Sequence, residues 1–325
     1  MCAAILESAV LYPGAGTNRD TVVGQRRRGF STLMNMPQEL VRSMTKQVDR
    51  RNRAVPDRRQ FPVIEGYRFL QTIARSTRSE VYVAHSNELG QNVAIKVLRI
   101  GGQSENGDDE EQRFERERSL LTRITHPAII DIYDWGHTAD FRYIVTEYFA
   151  SGSLELRIRN LMTLRDCVDI FLQICGVLIA VHGAGLCHRD LKPANVMMRP
   201  DGRIVLIDFG LAKLMDSSMQ LTVAGEIRGS PYYISPEQAE GGPVDQRSDL
   251  YSLGIMFFEM LTGQRPFKGS SIVGIIQAHR NEPIPTLPPE LARFQGLIDG
   301  LLAKDPRDRF PNASAALAEL ARMKV

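Results

Sequence analysis

One short segment gathers a carboxylate, a cation and an amide: Cys187-His188-Arg189-Asp190-Leu191-Lys192-Pro193-Ala194-Asn195. A second polar segment, Asp208-Phe209-Gly210, follows a strand-like run at residues 203–207. The two segments therefore predict one polar centre.

A lysine and a glutamate earlier in the chain can supply an ion pair to that centre. In the strand-like run Asn92–Leu98 the alternation of side chains places Lys96 on the same face as Ala94. Glu117 lies on the apolar face of a helical pattern over residues 114–124, where a carboxylate is costly unless it meets a cation. A lone lysine in a strand usually serves solubility, but with Glu117 we expect a buried pair that aims an ammonium group at phosphate oxygens.

These residue types together match the needs of phosphoryl transfer. That reaction requires little covalent chemistry from the protein. It requires a positioned nucleophile, Mg²⁺ ligands and stabilisation of charge along the line of transfer. The polar segments and the lysine pair supply each of these parts.

Around the polar centre, the chain from residue 61 divides into a strand-rich part and a helical part. Short β-branched or aromatic runs separated by polar breaks predict an antiparallel meander over residues 66–70, 80–85 and 93–98, and two more strand-like runs follow at residues 129–135 and 142–147. After a Gly/Ser break the pattern is helical, with short strands only near residues 196–198 and 204–207. Leu250–Leu261 is apolar nearly all round, which predicts a central buried helix.

Composition limits the protein class. The 325 residues are 43% hydrophobic and 24% charged, which is typical of a globular chain, and no apolar run reaches the roughly 18 to 20 residues of a membrane helix. Residues 61–325 hold 29 Lys and Arg against 33 Asp and Glu, which argues against nucleic acid as a partner. Four cysteines without a CxxC pair fit a reducing compartment, so we expect a cytoplasmic protein with free thiols.

The first sixty residues differ from the rest. Residues 1–60 hold 11 Lys and Arg against 5 Asp and Glu, and we interpret them as a basic, disordered N-terminal extension that precedes the fold. Contact with an acidic surface or anionic lipid is the alternative. Met34 and Met36 are candidate start positions, because the residues before them show no foldable pattern.

The motifs resemble those of the protein kinases, and most closely the bacterial Hanks-type serine/threonine kinases. The motifs VAIK, HRDLKPAN, DFG and SPE occur in family order at residues 93–96, 188–195, 208–210 and 235–237. An ordered set of this kind is far more specific than any one match. The resemblance implies an α+β, two-lobed protein-kinase-like fold, with a small antiparallel β-rich N-lobe at 61–149 and a larger α-helical C-lobe at 150–325.

The resemblance also implies roles for the polar residues. Asp190 corresponds to the carboxylate that orients the substrate hydroxyl and accepts its proton, and Lys192 to a lysine on the γ-phosphate. Lys96 corresponds to the lysine on the α and β phosphates, with Glu117 as its partner. The family's Mg²⁺ (or Mn²⁺) ligands correspond to Asn195 and Asp208.

For ATP the resemblance implies an apolar pocket and a hinge. The adenine would lie among side chains at Ile73, Val81, Ala94 and Met197. The hinge would bind the adenine edge through backbone groups of Glu147 and Phe149, and Thr146 would gate the rear of the pocket. Further matched positions are structural: His188 as a core residue, Asp249 as a brace of the catalytic loop, and Glu237 with Arg309 as a buried ion pair. Cys187 is interpreted as a small core residue, with a redox-sensing thiol as the alternative.

The lid over the triphosphate departs from the family. A G-x-G-x-x-G hairpin is expected where this chain has Ala74-Arg75-Ser76-Thr77-Arg78-Ser79, so none of the three glycines is present. Arg75 and Arg78 offer positive charge above the phosphates instead. An active kinase with a weaker lid is the favoured interpretation, because the polar centre is intact. The alternatives are a pseudokinase or scaffold that acts by binding, and a small-molecule phosphotransferase.

The resemblance further implies protein substrates and autophosphorylation. Arg189 is a cation beside Asp190 that a phosphate on residues 214–228 would neutralise. Thr222 is the first candidate acceptor, followed by Ser217 and Ser218. A dimer would allow one copy to phosphorylate another. The physiological substrate, its sequence preference and the activating signal do not follow from these residues.

Overall fold

The structure is a computed structural model that describes residues 61–75, 79–99, 126–160, 162–208 and 231–323. The basic extension, Glu117 and the candidate phosphorylation segment lie outside the described residues. Within the described ranges, no helix is long and apolar enough to cross a membrane.

The N-terminal part of the fold is a five-stranded antiparallel sheet in the order β1-β2-β3-β5-β4. Its strands are β1 (Tyr67–Arg75), β2 (Ser79–Ser86), β3 (Gln91–Arg99), β4 (Ile132–His137) and β5 (Phe141–Glu147). Val93, Ile95 and Val97 of β3 are buried in one cluster with Tyr82 and Ala84 of β2, while the alternate residues of β3 face the other way. The meander predicted for the first three strands is confirmed, and β5 rather than β4 lies next to β3.

The start of β4 differs from the prediction. The sequence suggested a strand from Ile129, but β4 begins at Ile132. Ile129 instead forms an isolated parallel bridge with Leu206, and the Ile130 N–H donates to the Leu206 carbonyl at 3.1 Å. The apolar run is therefore shared between the N-terminal sheet and the hairpin that carries Leu206.

The C-terminal part is helical, as predicted. It contains α1 (Leu154–Arg159), α2 (Leu164–Gly183), α3 (Pro236–Ala239), α4 (Gln246–Thr262), α5 (Ile272–Asn281), α6 (Gln295–Leu302) and α7 (Ala313–Arg322). Its two short strands, β6 (Val196–Met198) and β7 (Ile204–Leu206), form an antiparallel hairpin. Single-residue contacts join this hairpin to both parts of the fold, through Ile129 and through Ser153.

Helix α4 is the buried centre of the C-terminal part. Every residue from Ser248 to Met260 is buried. The Asp245 side chain caps its first turn, and the helix ends at Gly263, whose φ of 70° is in the left-handed region that glycine tolerates best. At Gly254 a Cβ atom would lie 2.7 Å from the Cβ of Leu301, so this glycine allows the close packing of α4 on α6.

A buried ion pair ties α3 to the end of the domain. Two nitrogens of Arg309 donate to the two carboxylate oxygens of Glu237, at 2.8 and 2.7 Å. The pair expected from the sequence is present, and it links residues 72 positions apart.

Candidate active site

The catalytic loop is closed by contacts within itself. The Nζ of Lys192 donates to Oδ2 of Asp190 at 2.6 Å. The Asn195 amide nitrogen donates to the Asp190 carbonyl at 2.8 Å and to its Oδ2 at 3.1 Å. A short 3-10 turn, Pro193–Asn195, returns the chain so that these contacts can form. The structure therefore brings together the three loop residues predicted for the site.

Asp249 of α4 holds the start of that loop. Its carboxylate oxygens accept from the backbone N–H groups of His188 and Arg189, both at 2.8 Å. A third contact comes from Nε2 of His182 in α2, also at 2.8 Å. Arg189 has φ of +64°, which is unfavourable for a residue with a Cβ. The contacts from Asp249 hold the backbone in this geometry.

His188 is a core residue. Its side chain is fully buried, and Nε2 lies 3.1 Å from the Ile207 carbonyl. Burial lowers the pKa of His188, although nearby carboxylates oppose the shift. The imidazole is therefore neutral near pH 7 and joins the loop to the chain just before Asp208.

Lys96 and Asp208 meet across the two parts of the fold. The Nζ of Lys96 lies 2.9 Å from Oδ1 of Asp208. Burial alone would raise the pKa of Asp208, but the ammonium groups of Lys96 and Lys192 outweigh it, so that the pKa lies below its ordinary value. The carboxylate is therefore ionised at neutral pH. The expected partnership of Lys96 with Glu117 lies outside the described residues and stays a prediction.

Asn195 and Asp208 are neighbours through the backbone. The Ile207 N–H donates to the Asn195 carbonyl at 3.0 Å. The side-chain nitrogen of Asn195 donates to Asp190. The side-chain oxygen, Oδ1, is therefore the atom with which Asn195 would coordinate a cation. An ionised carboxylate and an amide oxygen on adjacent segments fit the hard-oxygen ligand set of Mg²⁺.

The residues predicted for the adenine pocket lie on strands of the sheet and on the β6–β7 hairpin. In the strand register, Ala94 is opposite Thr146 and Val81 is opposite Lys96. Met197 packs against a buried cluster that contains Phe149. The described members of the set are buried or half-buried, apart from Ile73, which is 50% exposed at a bulge in β1.

Strands β1 and β2, on either side of the lid, carry an ion-pair network that the sequence did not predict. Glu80 accepts from the Tyr82 hydroxyl at 2.7 Å and from Arg99 at 2.8 Å, and Nε of Arg75 lies 3.4 Å from its other oxygen. The hydrogen bonds from Tyr82 and Arg99 hold the pKa of Glu80 below its ordinary value. The expectation that Arg75 serves the phosphates is not supported, because its guanidinium meets Glu80. Arg78 lies outside the described residues.

Further contacts around the site were missed by sequence reasoning. Nε2 of Gln238 donates to the Arg189 carbonyl at 2.9 Å, so helix α3 is attached to the catalytic loop. His182 carried no signal beyond a polar residue in an apolar helix.

At Cys187, burial raises the pKa of the thiol to about 11. The thiol is therefore protonated near pH 7, which favours the packing role over redox sensing.

Comparison with known proteins gives a consistent result. The family model described as protein kinase domain matches residues 67–319. The probable serine/threonine-protein kinase PknB of Bifidobacterium longum is 35% identical over 264 residues, which cover 76% of this chain and 38% of that protein. The serine/threonine-protein kinase PknA of Mycobacterium tuberculosis is 35% identical over 254 residues, which cover 75% of this chain and 58% of that protein.

The chain thus spans well under two thirds of the length of these relatives. Its match to the family model nevertheless extends from the first strand of the sheet to the last helix. The chain therefore belongs to the protein kinase domain family, and within it to the bacterial Hanks-type serine/threonine kinases.

Proposed function

We propose that this chain transfers the γ-phosphoryl group of ATP to serine and threonine hydroxyls of proteins. The observation that carries the proposal is the joint placement of Asp190, Lys192 and Asn195 in one loop, beside the contact between Lys96 and Asp208. Carboxylate, ammonium and amide groups from both parts of the fold are then available to the reaction.

We assign to each described residue the task that the family resemblance implies, and the contacts of the loop residues support the assignment. Asp190 orients the substrate hydroxyl and accepts its proton, since its carboxylate is fixed by Lys192 and Asn195. Lys192 remains within reach of the transferred phosphoryl group, where a cation stabilises the charge of the transition state. Lys96 positions the α and β phosphates. The hinge after β5 binds adenine through backbone groups of Glu147 and Phe149.

Asn195 and Asp208 are the residues that would hold Mg²⁺ or Mn²⁺. When bound, the ion neutralises phosphate charge. Two observations support this assignment. The carboxylate of Asp208 is ionised, and the amide nitrogen of Asn195 donates to Asp190, which leaves the amide oxygen for the ion. Because Lys96 already contacts Asp208, the lysine has to share that carboxylate with the ion.

A polypeptide substrate is supported by the segment that follows the catalytic loop. Helix α3 contacts the Arg189 carbonyl through Gln238 and is anchored by the Glu237 and Arg309 pair. This arrangement attaches the segment around α3 to the catalytic loop at the residue before Asp190. Small-molecule phosphotransferases of related fold lack a segment of this kind.

We also propose a cytoplasmic protein, which the free cysteines at the described positions support.

Activation by phosphorylation is part of the proposal. Arg189 directly precedes Asp190, and it provides the cation that a phosphate on residues 214–228 would neutralise. Residues Thr222, Ser217 and Ser218 are the proposed acceptors, and a dimer in which one copy phosphorylates the other is the proposed route. Intact-mass and fragment analysis of freshly expressed protein should find phosphate on residues 214–228. Equal phosphorylation of Asp190→Asn would show that another kinase adds it.

The substrate class can be tested with labelled ATP. The full chain is incubated with a peptide library containing serine and threonine, with tyrosine peptides, and with aminoglycosides. We expect label on serine and threonine peptides. Label on an aminoglycoside alone would establish a small-molecule phosphotransferase. Binding of ATP with no transfer to any acceptor would establish a pseudokinase.

A further inference from the structure

Arg199 joins three separate segments of the fold. Its Nη2 and Nε atoms donate to the two carboxylate oxygens of Glu147, at 2.6 and 3.1 Å. Its Nη1 donates to the Pro127 carbonyl at 3.2 Å. Glu147 is the last residue of β5, Pro127 precedes the segment that bridges to β7, and Arg199 follows β6. One guanidinium, carried by the C-terminal hairpin, therefore contacts both the hinge and the segment before β4.

The surroundings hold Arg199 in place. Its own N–H donates to the Arg203 carbonyl at 2.8 Å, which closes the β6–β7 hairpin. The neighbouring Met198 N–H donates to the Gly152 carbonyl at 3.0 Å, just beyond the hinge. Pro127 is fixed in turn, because the Leu206 N–H donates to the adjacent Ala128 carbonyl at 2.9 Å. The guanidinium therefore acts between backbones that are already ordered.

The pair is more than a surface contact. The side chains of Arg199 and Glu147 are 22% and 28% exposed, so water screens them less than a fully exposed pair. Contact through two parallel N–H donors fixes orientation as well as distance, and a lysine cannot reproduce it. The Glu147 side chain is thereby committed to Arg199.

We propose that Arg199 is a positioning residue for nucleotide binding, which fixes the hinge backbone through Glu147 and through the Pro127 carbonyl. The proposal rests on the proposed function, because it assumes that adenine binds at this hinge. A preorganised hinge lowers the cost of ordering backbone groups when a ligand binds. Such help matters in this chain, where the lid lacks the three glycines that bring backbone N–H groups close to phosphates.

Equilibrium binding of MgATP and of adenosine to the full chain tests the proposal, well below the unfolding temperature. Arg199→Met should weaken both ligands by a similar factor, about five- to twentyfold, which corresponds to about 1 to 1.8 kcal/mol. Arg199→Lys should restore little of the loss. Arg203→Met is the matched control, since Arg203 lies on the same hairpin but its side chain pairs, within the described part of the chain, with the exposed Asp201, and it should bind both ligands as the wild type does.

Two further measurements separate positioning from general stability. Glu147→Gln should weaken MgATP about as much as Arg199→Met, and the double variant should lose little more, because both changes break one pair. In peptide phosphorylation, the KM for ATP should rise while kcat changes less than about twofold. Equal binding by Arg199→Met and Arg203→Met would overturn the proposal, as would losses that add fully in the double variant. Wild-type protein that binds both ligands but transfers no phosphate would refute the proposed function and leave the role of Arg199 intact.

Discussion

The ion pair between Arg309 and Glu237 should be the most sensitive electrostatic contact in the helical part of the fold. The Arg309 side chain is fully buried, with 0% relative exposure, and that of Glu237 is 10% exposed. Arg309 also donates to three backbone carbonyls, and Glu237 accepts from the Ser248 hydroxyl at 2.5 Å. The substitution Arg309→Met removes all donors of the guanidinium at once and keeps much of its volume.

The expected cost follows from what the substitution leaves behind. A buried carboxylate loses its cation, and truncating one partner of a buried pair typically costs about 3 to 5 kcal/mol. For a domain of this size each kcal/mol lowers the unfolding temperature by about 2 to 4 °C, so we expect a decrease of about 6 to 20 °C. The double variant Arg309→Met/Glu237→Leu should be more stable than the single variant, because no charge is then left unpaired.

Urea unfolding followed by circular dichroism, together with thermal melts, gives both quantities. Arg307→Met is the matched control: Arg307 lies two residues away and its side chain is 84% exposed, so its removal should leave the stability nearly unchanged. A similar small change for Arg309→Met would refute the reasoning. So would a double variant that is less stable than Arg309→Met by the full cost of a second substitution.

Three further predictions concern pH, the lid and the extension. Burial alone would raise the pKa of Glu237, but Arg309 holds it below the ordinary 4.5. The stabilisation is therefore complete above pH 4.5 and is lost as the pH falls through the folded-state value. Urea unfolding at pH 7 and at a series of pH values below 4.5 should show the wild type losing more stability than Arg309→Met, and equal losses would contradict this assignment. Restoring glycine at positions 74, 76 and 79 should tighten ATP binding by about three- to thirtyfold, corresponding to about 0.7 to 2 kcal/mol, whereas unchanged affinity would show that alanine and serine already allow close approach. Deleting residues 1–60 should leave peptide phosphorylation and the unfolding temperature nearly unchanged, because these residues can bury too little apolar surface to offset the conformational entropy lost on ordering. A large loss of stability would show that they dock on the domain.

The local pattern of the chain was enough to predict most of the fold. Alternation along β3 predicted the side of the sheet on which Lys96 lies, and the continuous apolar run in α4 predicted its burial. The boundary of β4 was wrong, because Ile129 pairs with a residue 77 positions later. A local pattern shows that such a residue is apolar but does not show which strand it joins.

The site was predictable where its residues are close in sequence. The contacts among Asp190, Lys192 and Asn195 lie within one loop, and the order of the residues in that loop is the motif that predicted the site. The contacts of Arg75 and Arg199 were not predictable, because each depends on the register or on a partner in another segment. Arg75 is directed to Glu80 by the pairing of β1 with β2. Arg199 meets a glutamate 52 positions earlier, and only the folded chain brings them together.

The most direct test of the central claim is the rate of phosphoryl transfer from labelled MgATP to a serine/threonine peptide by the wild type, Asp190→Asn and Asp201→Asn. Asp201 is an exposed carboxylate on the β6–β7 hairpin and provides the matched control. We predict that Asp190→Asn lowers the rate by at least about a hundredfold, the lower end of what a positioned general base contributes, while Asp201→Asn keeps the wild-type rate. An Asp190→Asn variant with the wild-type rate, or a wild type with no transfer, would contradict the account.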